Sequence, residues 1–193
     1  MGFTHVAGHS VLYLAILSIG AVTLAVAQSG DKVQRIAIPN SDFPISAAVV
    51  VPPNYDTIYV SGNVPAVADP KAAKGTVERY GDTKTQTVSV LQQIEKTLRA
   101  QGLSMSDVVM MHVYMAGDPR NGGKMDFAGM MAGYTQFFGT PEQPNKPARS
   151  AMQVAALVDP GFLVEIEAIA VHKHGPDVRP AAAVIEESHH DAQ

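Results

Sequence analysis

The sequence predicts an α+β fold in which one β-sheet carries two helices on a single face. Short apolar and β-branched runs bounded by Pro and Gly recur along the chain and read as strands. Two intervening stretches change to a helical period, giving the order β-β-α-β-α-β-β. Each strand–helix–strand crossover is right-handed, so two crossovers winding the same way place both helices on the same side of the sheet.

Residues 28–42 are polar and Pro-interrupted and read as an N-terminal arm. Ile45 to Val51 is apolar and β-branched toward its end, a strand. Pro52-Pro53-Asn54-Tyr55-Asp56 turns the chain, and Thr57 to Gly62 returns. The expectation is a β-hairpin with a five-residue loop. Val64 to Tyr80 has no clean period and reads as a surface loop.

From Asp82 the period becomes helical. Thr87, Leu91, Ile94 and Leu98 recur at spacings of 4, 3 and 4, one face of a helix, and Gly102 supplies its stop. Val108 to Met115 is a strand whose alternating faces, Val108-Met110-His112-Tyr114 and Val109-Met111-Val113-Met115, are both largely apolar. Such a strand is covered on both sides. If both helices lie on one side, the other side calls for a partner subunit. His112 reads as a satisfied core or interface histidine, and the methionines as adaptable filling.

Gly117 to Lys124 is a Gly-rich loop without the Gly-Lys-Ser/Thr ending that a phosphate cradle requires. Asp126 is placed to cap the second helix. Phe127, Met130, Met131, Tyr134, Phe137 and Phe138 form its apolar stripe, and Gly139 ends it.

Two strands close the fold, one within Pro147 to Ala155 and one over Val164 to Val171, joined through Asp159-Pro160-Gly161. They predict a hairpin with Arg149 on one strand and Glu165 and Glu167 on one face of the other. A buried arginine needs a carboxylate or a bound anion. The residues alone leave a cross-strand salt bridge and an anion site both open. Residues 173–193 lose all pattern and read as a disordered tail.

The 193-residue chain has no cysteine, which excludes disulfides, thiolate chemistry and Cys-based zinc sites. Its net charge of −4 argues against nucleic acid as the main partner. Residues 1–30 contain no Lys, Arg, Asp or Glu. The apolar run Val11 to Ala27 ends in Ala25-Val26-Ala27, the pattern of a signal peptide cleaved after Ala27. The expected location is therefore the periplasm or the exterior, with an uncleaved anchor as the alternative.

Several motifs carry a family resemblance: Ile58-Tyr59-Val60-Ser61-Gly62-Asn63-Val64-Pro65, Ser106-Asp107-Val108-Val109, Tyr134-Thr135-Gln136-Phe137-Phe138, then PARSAMQVAAL and VEIEAIAV. In this order and spacing, residues 43–172 resemble the Rid family, also called YjgF, of enamine/imine deaminases. The resemblance implies a mixed sheet of the chorismate-mutase-like type, a homotrimer with sheets facing inward, and active sites in clefts between subunits. It implies hydrolysis of short 2-imino acids, the tautomers of enamines, to 2-keto acids and ammonia, with no cofactor and no metal.

Arg149 would hold the substrate carboxylate and Glu165 would orient or activate water. Gly62, Ala151 and Tyr134 complete the implied substrate site. A non-catalytic trimer that binds small carboxylates, or acts as a chaperone, is the other reading of the same resemblance. The chain departs from the family in three places. Ser46-Ala47-Ala48 replaces Gly-Pro-Tyr, leaving Tyr55 or Tyr59 to supply a pocket hydroxyl. Ala151 stands where cysteine is common, and Met131 where asparagine is common.

Overall fold

The computed structural model describes residues 30–175. The expected signal peptide and nearly all of the expected tail lie outside the described residues. Six strands and three helices appear in the order β1 (Gln34–Ala37), β2 (Ser46–Val50), β3 (Tyr55–Asn63), α1 (Val77–Tyr80), α2 (Thr83–Ala100), β4 (Val108–Met115), α3 (Phe127–Tyr134), β5 (Ala148–Gln153) and β6 (Val164–Lys173). The expected series β-β-α-β-α-β-β is present. Two short elements add to it: β1 within the arm, and the single turn α1 at the end of the 64–80 loop.

The main sheet has the order β3-β6-β4-β5 and is mixed. β4 and β5 run parallel, while β6 is antiparallel to both β3 and β4. The parallel pair follows from the α3 crossover, since parallel neighbours cannot be joined by a tight turn. α2 forms as the sequence predicts. Asp82 accepts from the Thr85 amide at its start, Val90, Leu91, Ile94 and Leu98 are fully buried, and Gly102 takes the left-handed φ of 74° that ends the helix. Asp126 caps α3 by accepting from the Gly129 amide. The core lies between these helices and one sheet face, formed by Met111, Val113 and Met115 of β4 and Val164, Ile166, Ala168 and Ala170 of β6.

Two expected pairings are corrected. First, β2 and β3 do not form a hairpin. β2 pairs antiparallel with β1, in register Arg35↔Val49, as a separate two-stranded sheet. Pro52 and Pro53 have no N–H to donate where a β2–β3 ladder would begin, and the arm supplies another partner. Arg35 anchors that arm by donating to the carbonyls of Lys146 and Ser106, each at 2.8 Å. Second, β5 and β6 are not neighbours, because β4 lies between them. β6 is ten residues long and buried along one face from Val164 to Ala170, and it takes a central position that the 154–163 connector is long enough to reach.

Among the described residues the opposite sheet face carries no helix. It presents Met110, His112 and Tyr114 of β4 and Glu165, Glu167 and Ile169 of β6, all half-buried. This face is more polar than the sequence pattern suggests, because the carboxylates of β6 lie beside the histidine and tyrosine of β4.

Candidate active site

Arg149 stands on the helix face of the sheet. In register it opposes Met111 of β4, whose side chain is buried in the core. Its guanidinium carbon lies 4.3 Å from the centre of the Tyr134 ring, and 5.7 and 5.9 Å from the Phe43 and Phe127 rings. Such stacking suits a planar, weakly hydrated cation. Its only hydrogen-bond acceptors among the described residues are two sulfurs, Met131 Sδ at 3.2 Å and Met130 Sδ at 3.9 Å. Thioethers are weak acceptors, so a half-buried fork of donors is left without an oxygen.

Burial lowers the Arg149 pKa and the neighbouring Tyr134 opposes this; the group stays charged because the unperturbed value is so high. The cross-strand salt bridge to β6 is absent, for the reason already given: β4 separates the two strands.

Tyr134 is fully buried, and its hydroxyl donates to the carbonyl of Pro44 at 3.0 Å. Burial pushes that hydroxyl above the usual tyrosine range, opposed by Arg149 and Arg35. Tyr134 therefore serves Arg149 as a ring platform, its own donor already committed. Ala151, two residues along β5, opposes Val113 and packs against the core on the same face. Of the tyrosines considered as substitutes for the missing pocket hydroxyl, Tyr59 stands on β3 opposite Ile169, highly exposed. Tyr55 lines a separate hollow with Arg35 and Asn145.

Glu165 lies on the other face. It opposes Tyr114 across the β4–β6 ladder. β3 bulges against β6 between Val60 and Asn63, and Gly62 sits in that bulge. A Cβ on Gly62 would collide with the Glu165 carboxylate, with Glu165 Cδ only 3.2 Å away. The glycine thus gives the carboxylate its place against the main chain. No hydrogen bond from a described residue reaches that carboxylate.

Glu167 differs. It accepts from the Tyr114 hydroxyl at 3.0 Å, and the same oxygen lies 2.7 Å from His112 Nδ1. That hydrogen bond is the main cause of the raised Tyr114 pKa. Beside Glu167, an open hollow of about 300 Å³ runs along β3 and β6 past Tyr59 and Ser61. Among the described residues no group of three or more His, Asp or Glu is placed to hold a metal ion.

The structure thus assembles two half-sites. Arg149, Tyr134 and Ala151 share the helix face, while Gly62 and Glu165 share the open face. Sequence reasoning did not single out Phe43, Phe127 and Met130 as neighbours of Arg149. The stripe on the second helix contained the latter two, read as core alone. It also did not foresee the joining of His112, Tyr114 and Glu167, because that contact depends on which strand lies beside β4.

Comparison with known proteins agrees with the fold. The family model described as Endoribonuclease L-PSP matches residues 38–172. A RutC family protein of Pyrococcus horikoshii is 38% identical over 113 residues, covering 58% of this chain and 77% of the relative. A mitochondrial protein of Saccharomyces cerevisiae, MMF1, is 32% identical over 120 residues, covering 61% and 69%. Among solved structures, a Yersinia pestis protein of the conserved Rid family, of unknown function, superposes with a TM-score of 0.54 at 27% identity, covering 72% of this chain and 97% of that one.

Proposed function

We propose that this chain, which belongs to the Endoribonuclease L-PSP family and so to the Rid (YjgF) proteins, hydrolyses 2-imino acids to 2-keto acids and ammonia. The observation that carries the reading is the Arg149 guanidinium, half-buried among rings and sulfurs with no oxygen acceptor among the described residues. Desolvating a cation without a partner is costly, and a planar substrate carboxylate would satisfy two of its donors at once.

With the carboxylate held, the adjacent imine carbon is fixed for attack. Glu165, free of competing donors and set against Gly62, takes a proton from water as its oxygen bonds to that carbon. The resulting tetrahedral adduct collapses as nitrogen gains protons. The C–N bond breaks, the C=O forms, and ammonium leaves with the two hydrogens of the consumed water. A protonated imine is itself electrophilic, so these residues suffice for the step.

Arg149 and Glu165 point to opposite faces of the sheet, and two strand spacings, about 10 Å, separate their strands. In a 2-imino acid the carboxylate and the reacting carbon are directly bonded, so one chain cannot offer both groups to one molecule. This supports a cleft shared between protomers of a homotrimer, in which one chain supplies Arg149 and its neighbour supplies Glu165. We further propose export, on the strength of Ala25-Val26-Ala27; mass spectrometry of the native protein should find a chain beginning at Gln28.

The direct test is a coupled assay. An amino-acid oxidase generates imines in the presence of semicarbazide, and the purified protein competes for them. Faster loss of imine is expected. Unchanged semicarbazone formation with every amino acid tried would refute the deaminase reading and leave a carboxylate-binding protein.

A further inference from the structure

We infer that the substrates are imino acids with large apolar side chains, aromatic ones foremost, selected by Phe43, Phe127 and Met131. The inference rests on Arg149 as the carboxylate anchor and specifies what fits beside it. In a 2-imino acid the side chain and the carboxylate branch from the same carbon. Whatever surrounds the guanidinium therefore also surrounds the first atoms of the side chain.

Within its own chain, aromatic rings and thioethers surround it. Phe43 and Phe127 lie nearly parallel, 9° apart with centroids 6.5 Å from each other, and both face Arg149. They remain 38% and 37% exposed, although phenylalanine is a residue that folding usually buries. Neither ring is used up by the core. The pair forms an open apolar mouth over the cation.

Met131 brings its sulfur to 3.2 Å from the guanidinium, closing the third side with an unbranched, adaptable chain that accommodates varied shapes. The hydroxyl of Tyr134 is turned away to Pro44. A hydroxyl or carboxamide on the substrate would lose water here and gain no partner among these neighbours. A methyl group would leave most of the two rings untouched by substrate. A phenyl or branched aliphatic group covers them, and aromatic rings favour stacked or edge-on contacts with each other.

The test compares imines generated by oxidation of phenylalanine, leucine and alanine, each competed against semicarbazide. For the unaltered protein, kcat/KM for the phenylalanine-derived imine should exceed that for the alanine-derived imine at least tenfold. In Phe127→Ser that ratio should fall at least tenfold, and in Met131→Asn it should move the same way. Both positions are partly exposed, and a thermal melt confirms that each variant is folded. A preference for the alanine-derived imine, or an unmoved ratio in both folded variants, would overturn the inference.

If no imine of any size is hydrolysed, the deaminase reading fails and the selectivity is decided by calorimetry with 2-keto acids. Phenylpyruvate binding at least tenfold more tightly than pyruvate, with the difference lost in Phe127→Ser, supports the apolar mouth. Equal affinities refute it.

Discussion

Gly62→Ala separates the proposed catalytic role of the Gly62–Glu165 contact from any structural one. Gly62 is not among the glycines with positive φ, so alanine adopts its backbone without strain. The new methyl would clash with the Glu165 carboxylate, whose Cδ and Cγ would lie 3.2 and 3.4 Å away. The colliding atoms belong to the far end of a flexible, half-buried side chain, which can rotate. Forcing it off its rotamer costs about 0.5 to 1.5 kcal/mol. Replacing glycine by alanine returns about 0.4 to 1 kcal/mol by restricting the unfolded chain.

Net stability should therefore change by less than about 1 kcal/mol, a few degrees at most in a thermal melt. Turnover should respond quite differently. A carboxylate displaced by about 1 Å from the attacking water loses on the order of a hundredfold in rate. Imine turnover and melting temperature, measured on one preparation, read the two effects together. Wild-type turnover in a normally folded variant would show that Glu165 is not the group acting on water, or that Gly62 does not place it. Combining Gly62→Ala with Glu165→Gln sharpens the point, since two changes acting through one carboxylate should not add.

Arg149→Lys keeps the charge but loses the planar fork and its stacking on Tyr134. A loss of about 1.5 to 3 kcal/mol in carboxylate recognition, one to two decades in kcat/KM, should appear in steady-state assays, and near-wild-type activity would make the arginine structural. Glu165→Gln should lower kcat by roughly a hundredfold or more. Glu167→Gln, which weakens the acceptor shared by His112 and Tyr114, should instead cost about 1 kcal/mol in a melt and leave turnover within a few-fold. The reverse assignment of the two glutamates would move the catalytic role two residues along β6. Leu91→Ala, in the fully buried stripe of α2, should cost about 2 to 5 kcal/mol by denaturant titration.

α2, the start of α3 and the element order were legible because their signals are local, whereas α3 stops at Tyr134, short of the expected end at Gly139. The spacing Thr87-Leu91-Ile94-Leu98 and the caps Asp126 and Gly102 each involve residues within a turn or two. Strand neighbours were not legible, because a ladder is chosen by competition across the whole chain. Nothing near Arg149 or Glu165 announces that β4 will lie between them, and nothing near Pro52 announces that β2 will prefer the arm. The same limit applied to the site. Candidate residues could be proposed one by one, but which of them share a face depends on register counted through β4. Phe43 shows the limit most clearly: it lies more than a hundred residues before Arg149, outside any element, and its role is visible only where the two meet.

The separation of Arg149 from Glu165 gives the shared cleft a decisive test. If each site draws its arginine from one protomer and its glutamate from the next, two inactive variants should rescue each other. In chains carrying Arg149→Lys the glutamate is intact, and in chains carrying Glu165→Gln the arginine is intact. Co-expressed at equal levels with different tags and assembled at random around a three-fold axis, they should form fully native sites at about a quarter of interfaces. Doubly tagged oligomers purified in two steps should then recover activity well above that of either variant alone. The double variant carried on one chain and mixed with itself provides the floor. If each site is built within a single chain, no mixture contains an intact site, and the co-assembled oligomers should stay at the level of the two parents. That outcome would require the sheet to bring both groups to one molecule within one protomer, which the opposite facing of Arg149 and Glu165 does not permit without reordering β4, β5 and β6.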